Sequence, residues 1–207
     1  MNLLKACIIA VTSSYSAFAW DSVQELEADA CCALTNAQYL TSEQYVASLR
    51  SCITNSDMAI SADAQIMLAL SARQRFWDSM DSSMTEVEMQ HISNVVASVQ
   101  LDRLDWRYWI SRLIYASAHA DVDDYSQAYY VLTNAICSMQ TPVIQFETNS
   151  LPRAILNRYE LTGLSMEMAF KVLAGMSAAE LGKGVEATNF ANQVSAPYRE
   201  MILRFIR

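Results

Sequence analysis

The sequence predicts an all-α protein, and three observations carry that expectation. Apolar residues return at three- and four-residue intervals along most of its 207 residues. Only 4 glycines and 3 prolines are present, too few for the tight turns of a β sandwich or barrel. Hydrophobic residues make up 53% of the chain and charged residues 17%, so there is ample apolar surface to offset the entropy of folding. That balance excludes a disordered chain.

The length predicts a single helical domain over 20–207, behind a leader over 1–19. In that leader Lys5 is the one charge, Ala6-Cys7-Ile8-Ile9-Ala10-Val11 forms a short apolar centre, and Ala17-Phe18-Ala19 supplies a small-x-small cleavage pattern. The segment is too short and too rich in Ser and Thr to remain as an anchor, and no later apolar run reaches spanning length. The expected product starts at Trp20, carries no stable membrane span and resides in the periplasm or outside the cell. A net charge of −8, from 14 basic and 22 acidic residues, argues against nucleic acid as a partner.

Removing the leader removes Cys7 and leaves Cys31, Cys32, Cys52 and Cys137. In an oxidising compartment the expected bridge joins Cys31 or Cys32 to Cys52, tying the first two helices together for about 3 kcal/mol. The alternative is four buried thiols in a reducing compartment. There is no C-x-x-C, and His91 and His119 stand apart from the cysteines, so neither zinc nor another cofactor is expected.

The helices follow in order. Ser22 to Leu34 places Val23, Leu26 and Ala30 on one face, and Thr41-Ser42-Glu43 opens a helix to about Ile53 with Tyr45, Leu49 and Cys52 inward. Ser61 to Met80 is apolar nearly all round, the pattern of a central helix. Ser83-Met84-Thr85-Glu86 has the form of a capping box. The stripe after it is Met89, Ile92, Val95, Val96 and Val99. Leu104 to Ala120 turns Trp106, Trp109, Ile110, Leu113 and Ala116 to one side, and Asp121 to Asp124 separates it from a helix lined by Ala128, Val131, Leu132, Ala135, Ile136 and Met139. Thr141-Pro142 stops that helix, Val143 to Pro152 is the least regular stretch, and another helix starts near Arg153. Three more are predicted over 165–181, 185–194 and from Pro197 onward. About nine helices joined by short links result.

Two of these hairpins share an internal grammar. Asp124-Tyr125-Ser126-Gln127-Ala128 is followed by Leu132, Ala135 and Pro142. Leu181-Gly182-Lys183-Gly184-Val185-Glu186-Ala187 is followed by Phe190, Ala191 and Pro197. Ala116 lies twelve residues before Ala128, and Gly175 twelve before Ala187. The pattern resembles the tetratricopeptide (TPR) repeat, with its small residue in the first helix, Ala in the second and Pro at the exit. It spans about 105–200 and matches best around 164–197. Ala128 and Ala187 stand 59 residues apart, against a repeat period of 34, and Arg112 and Lys171 occupy the repeat's early Trp position. The resemblance implies stacked antiparallel helical hairpins, a TPR-like superhelix. An irregular multi-helix bundle is the alternative.

No metalloprotease, serine-hydrolase or P-loop motif is present. Glu86 with Glu88, and Asp121 with Asp123 and Asp124, are the carboxylate sets open to acid–base or metal roles, helix capping being the simpler account of the second. Asp102 to Trp109 gathers two Arg, two Trp and one Tyr, residue types that dominate interfaces. Arg103, Trp106, Arg107 and Tyr129 are therefore the candidate partner contacts. The competing account makes the tryptophans core and pairs the arginines with Asp102 and Asp105. The expected function is an adaptor or scaffold that binds a protein or peptide without catalysis. An envelope hydrolase using a Glu/Asp pair and a structural oligomer subunit are the alternatives. A deep cleft holding a carboxylate favours the enzyme, and an open face lined with aromatics favours the adaptor.

Overall fold

The computed structural model describes residues 20–98, 105–139 and 150–206. Among them the chain forms eleven helices and no strand: α1 Val23–Leu34, α2 Ala37–Leu40, α3 Glu43–Cys52, α4 Met58–Ser79, α5 Ser83–Ser98, α6 Trp106–Asp121, α7 Tyr125–Ser138, α8 Leu151–Arg158, α9 Met166–Glu180, α10 Gly184–Ala191 and α11 Ala196–Leu203. The all-α expectation holds. The expected leader over 1–19, Arg103 and the Thr141-Pro142 stop lie outside the described residues.

Local chemistry sets the starts. Ser22, Ser42, Asp105, Asp124 and Ser165 each sit just before a helix and accept a hydrogen bond from a first-turn amide. Asp57 does the same for α4 and starts it three residues earlier than its apolar pattern predicts. The expected capping box at Ser83 does not form. Ser83 is already inside α5, and its amide and hydroxyl both donate to Asp81 Oδ1, at 3.0 and 2.8 Å. The four-residue α2, capped by Asn36, is too short for periodicity to reveal.

Helix α4 is buried on nearly every side, as predicted, and packs against α1, α2, α3, α5 and α6. From there each helix rests on its successor through α5, α6 and α7, then α9, α10 and α11. α4 also touches α6, and α6 touches α9, so these three make one row while α5, α7 and α10 alternate behind them. α8 leaves this sequence and packs back on α1 and α6.

Three-residue links join α4 to α5, α6 to α7 and α9 to α10, and each contains one left-handed residue: Met80 (φ 54°), Asp123 (φ 61°) and Gly182 (φ 71°). The second and third links have the same hydrogen bonds. Asp124 N–H donates to His119 O and Asp123 N–H to Ala120 O; Lys183 N–H donates to Ala178 O and Gly182 N–H to Ala179 O. Such bonds satisfy the last carbonyls of a helix while the chain reverses.

The interior confirms the inward faces of α1, α3, α6 and α7 and corrects that of α5. Its buried row is Thr85, Glu88, Ile92 and Val95, with Met89 only half-buried. The expected disulfide is also corrected: among the described residues no disulfide joins Cys31, Cys32, Cys52 or Cys137. α1 packs chiefly on α4 and α8 rather than on α3, whose last residue is Cys52. No helix among the described residues is long and apolar enough to cross a membrane.

Candidate functional site

The C-terminal halves of α4, α6 and α9 converge on a cleft of about 740 Å³. They run side by side because each begins one of the hairpins above. Leu70 and Trp77 of α4, Leu132 of α7, Leu173 and Met176 of α9, and Phe205 beyond α11 form its apolar walls. Trp77 is 53% exposed and Phe205 36%, which leaves two large rings open at the mouth.

The floor is charged and tightly paired. Arg73 in α4 donates from Nη2 to Asp121 Oδ1 (3.1 Å) at the end of α6, and its Nε stands 2.9 Å from Oδ2 as an ion pair in which Oδ2 accepts no hydrogen bond. The guanidinium lies 4.2 Å from the centroid of the Tyr159 ring, a favourable cation–π placement. Burial raises Asp121 above the ordinary carboxylate range, while Arg73 draws it back. Burial likewise pushes the Tyr159 hydroxyl far up, partly offset by Arg73. Arg158 turns to Leu34 O (3.1 Å) and to Gln74 Oε1. The hydroxyls of Ser117 and Tyr159 are buried and make no hydrogen bond.

Glu88 is fully buried on α5 and is not a lining residue, yet its charge bears on Arg73. Neither of its oxygens has a hydrogen-bond partner. Burial raises its pKa to about 8, against the pull of Arg73 and with a smaller push from Asp121.

The residues expected to meet a partner sit elsewhere. Arg107, 8% exposed, is turned inward: Nε and Nη2 reach Asp63 at 2.6 and 2.7 Å, Nη2 reaches Glu27 at 3.2 Å and Nη1 Asp105 at 3.4 Å. Its carbon Cζ stands 4.6 Å from the Trp106 ring centroid, and Trp106 is half-buried against the core. Tyr129 is half-buried with Lys183 Nζ 4.2 Å from its ring centroid. None of Trp106, Arg107 and Tyr129 lines the cleft. Of the carboxylates singled out, Asp121 and Asp123 line it, Asp124 caps α7, and Glu86 is exposed.

Sequence reasoning missed Arg73, Tyr159, Trp77 and Phe205. A signal for the first was present, since a charge inside a helix that is apolar all round needs a buried partner. Tyr159 and Phe205 carried no such mark. Among the described residues no group of three or more His, Cys, Asp or Glu is arranged to hold a metal ion. Comparison with protein-family models, with curated proteins and with solved structures finds no match for this chain.

Proposed function

We propose that this protein is a helical binding module that receives a segment of a partner protein in the cleft bounded by α4, α6 and α9. The observation that carries this reading is the open cleft with Trp77 and Phe205 unshielded at its mouth over a floor whose charges already satisfy one another. Large rings standing in water are poor contributors to stability and good contributors to recognition. The repeated link geometry supports the TPR-like reading, because Asp123 and Gly182 stand 59 residues apart, as do Ala128 and Ala187. The length beyond one repeat period contains α8. The composition of residues 1–19 supports a periplasmic or secreted site of action.

A hydrolase is the second reading, favoured by the raised acids Asp121 and Glu88. It is the weaker one. Asp121 is held by Arg73, and Glu88 does not line the cleft, so neither is placed to exchange a proton with a substrate there.

Peptides selected from a displayed random library on the full chain test the binding reading. Trp77→Ala and Phe205→Ala are expected to weaken the selected peptides about tenfold each, the loss of one well-placed ring contact. Tyr130→Ala, which removes an exposed ring outside the cleft, is expected to leave them unchanged. Selected peptides indifferent to both cleft variants would overturn the assignment.

A further inference from the structure

The electrostatics of the cleft narrow the class of segment it accepts. α4, α6, α8 and α9 all present their C-terminal turns to it. A helix end of that polarity carries a partial negative charge of about half an electron. Asp123, Glu160 and Glu180 line the same rim, Asp123 and Glu160 exposed and Glu180 half-exposed. None of the three forms an ion pair among the described residues. The two cations of the lining do not balance its four carboxylates: Arg73 cancels Asp121, and Arg158, whose bonds go to the neutral Leu34 O and Gln74, offsets one of the other three, which leaves an excess of two negative charges. A second and independent feature points to a ligand. Ser117, 6% exposed, lines the cleft with its hydroxyl unpartnered, as does the buried hydroxyl of Tyr159. Buried hydroxyls without partners are costly, and a backbone amide or carbonyl laid across the floor would relieve them.

Resting on the binding reading above, we propose that the cleft selects a basic segment of a partner protein: lysine or arginine side chains meet Asp123, Glu160 and Glu180, an apolar residue enters between Trp77 and Met176, and the segment's backbone bonds to Ser117 and Tyr159. Charge complementarity of this kind sets partner choice and association rate more than total affinity.

The test uses two fluorescein-labelled decapeptides, one alternating lysine with leucine and phenylalanine, the other with glutamate in place of every lysine. Binding to the full chain is read by anisotropy at low salt. The basic peptide is expected to bind at least about tenfold more tightly, with an advantage that shrinks as salt screens the rim. Glu160→Gln with Glu180→Gln is expected to weaken it several-fold. Glu43→Gln with Glu86→Gln removes the same charge from exposed positions outside the cleft and is expected to change nothing. If both acid pairs matter equally, or the two peptides bind alike while Trp77→Ala weakens both, the selectivity is overturned and the binding reading stands. If neither peptide binds, or Trp77→Ala has no effect, both fall.

Discussion

Arg107 and Asp63 lie 44 residues apart in sequence and join α6 to α4 through paired bonds of 2.6 and 2.7 Å, with the Asp63 side chain wholly inaccessible. Burial pushes the Asp63 carboxyl up and Arg107 pulls it down. Removing one partner of a buried pair leaves an uncompensated charge, which costs more than the pair itself contributes. Arg107→Ala is therefore expected to lose about 3–5 kcal/mol of unfolding free energy in urea. Asp63→Leu combined with Arg107→Met is expected to recover most of it. A loss under about 1 kcal/mol in the single variant would mean the pair does not organise this contact.

Glu88 gives a pH dependence of defined sign. Its folded-state pKa is about 8 against an ordinary 4.5, because burial disfavours the charged form. Folding thus holds a proton that the unfolded chain releases, so its contribution to stability is complete below pH 4.5 and is lost as pH rises through 8. Glu88→Met keeps the volume and removes the titration. Its stability advantage over the parent chain is expected to grow between those two values, by up to about 5 kcal/mol for a shift of this size, and then level off. Thermal or urea unfolding across that range measures it, and a constant difference at all pH values would refute the assignment.

The helices were legible and the cleft was not, for one physical reason. A helix start depends on neighbours, so Ser22, Ser42, Asp105, Asp124 and Ser165 announce themselves through side chains two or three residues from the amides they cap. The cleft floor joins Arg73, Asp121 and Tyr159, brought together only once α8 has folded back on α1 and α6. Periodicity tells which way a side chain points and not what it meets. It even slipped by one position in α5, where Met89 looked inward on hydrophobicity and Glu88 took the place. Arg107 misled for the opposite reason: an arginine beside tryptophan has the composition of an interface, and Asp63 inside the helix that is buried on nearly every side was the sign that it faced inward. The cysteines illustrate the same limit, because spacing along the chain carries no information on whether α1 reaches α3.

Gly175, the small residue of the second hairpin's first helix, makes room for α11. A Cβ there would stand 2.7 Å from Ile202 Cδ1 and 3.1 Å from Cγ1 and Cγ2, and Ile202 is fully buried. Alanine gains about 1 kcal/mol of helix propensity, and the overpacking costs about 1–3 kcal/mol. Gly175→Ala is therefore expected to destabilise by about 1 kcal/mol net, with Ile202→Val in the same chain restoring part of the loss by removing the nearest methyl. Denaturant midpoints decide it. A stabilised Gly175→Ala would show that α11 shifts freely on α9.

Met80 closes α4 in a left-handed conformation, φ 54°, with its side chain 69% exposed. Its amide donates to Phe76 O at 2.6 Å, so the backbone is committed to that geometry. A side chain with a Cβ is strained there by about 1–2 kcal/mol and glycine is not, although glycine gives up part of that through its larger unfolded-state freedom. Met80→Gly is expected to stabilise by about 0.5–1 kcal/mol, and Gly182→Ala, the mirror change in the link between α9 and α10 at φ 71°, to destabilise by a similar amount. The opposed signs are the diagnostic. Two changes of the same sign would mean that the left-handed residue does not play the same part in the first link as in the third.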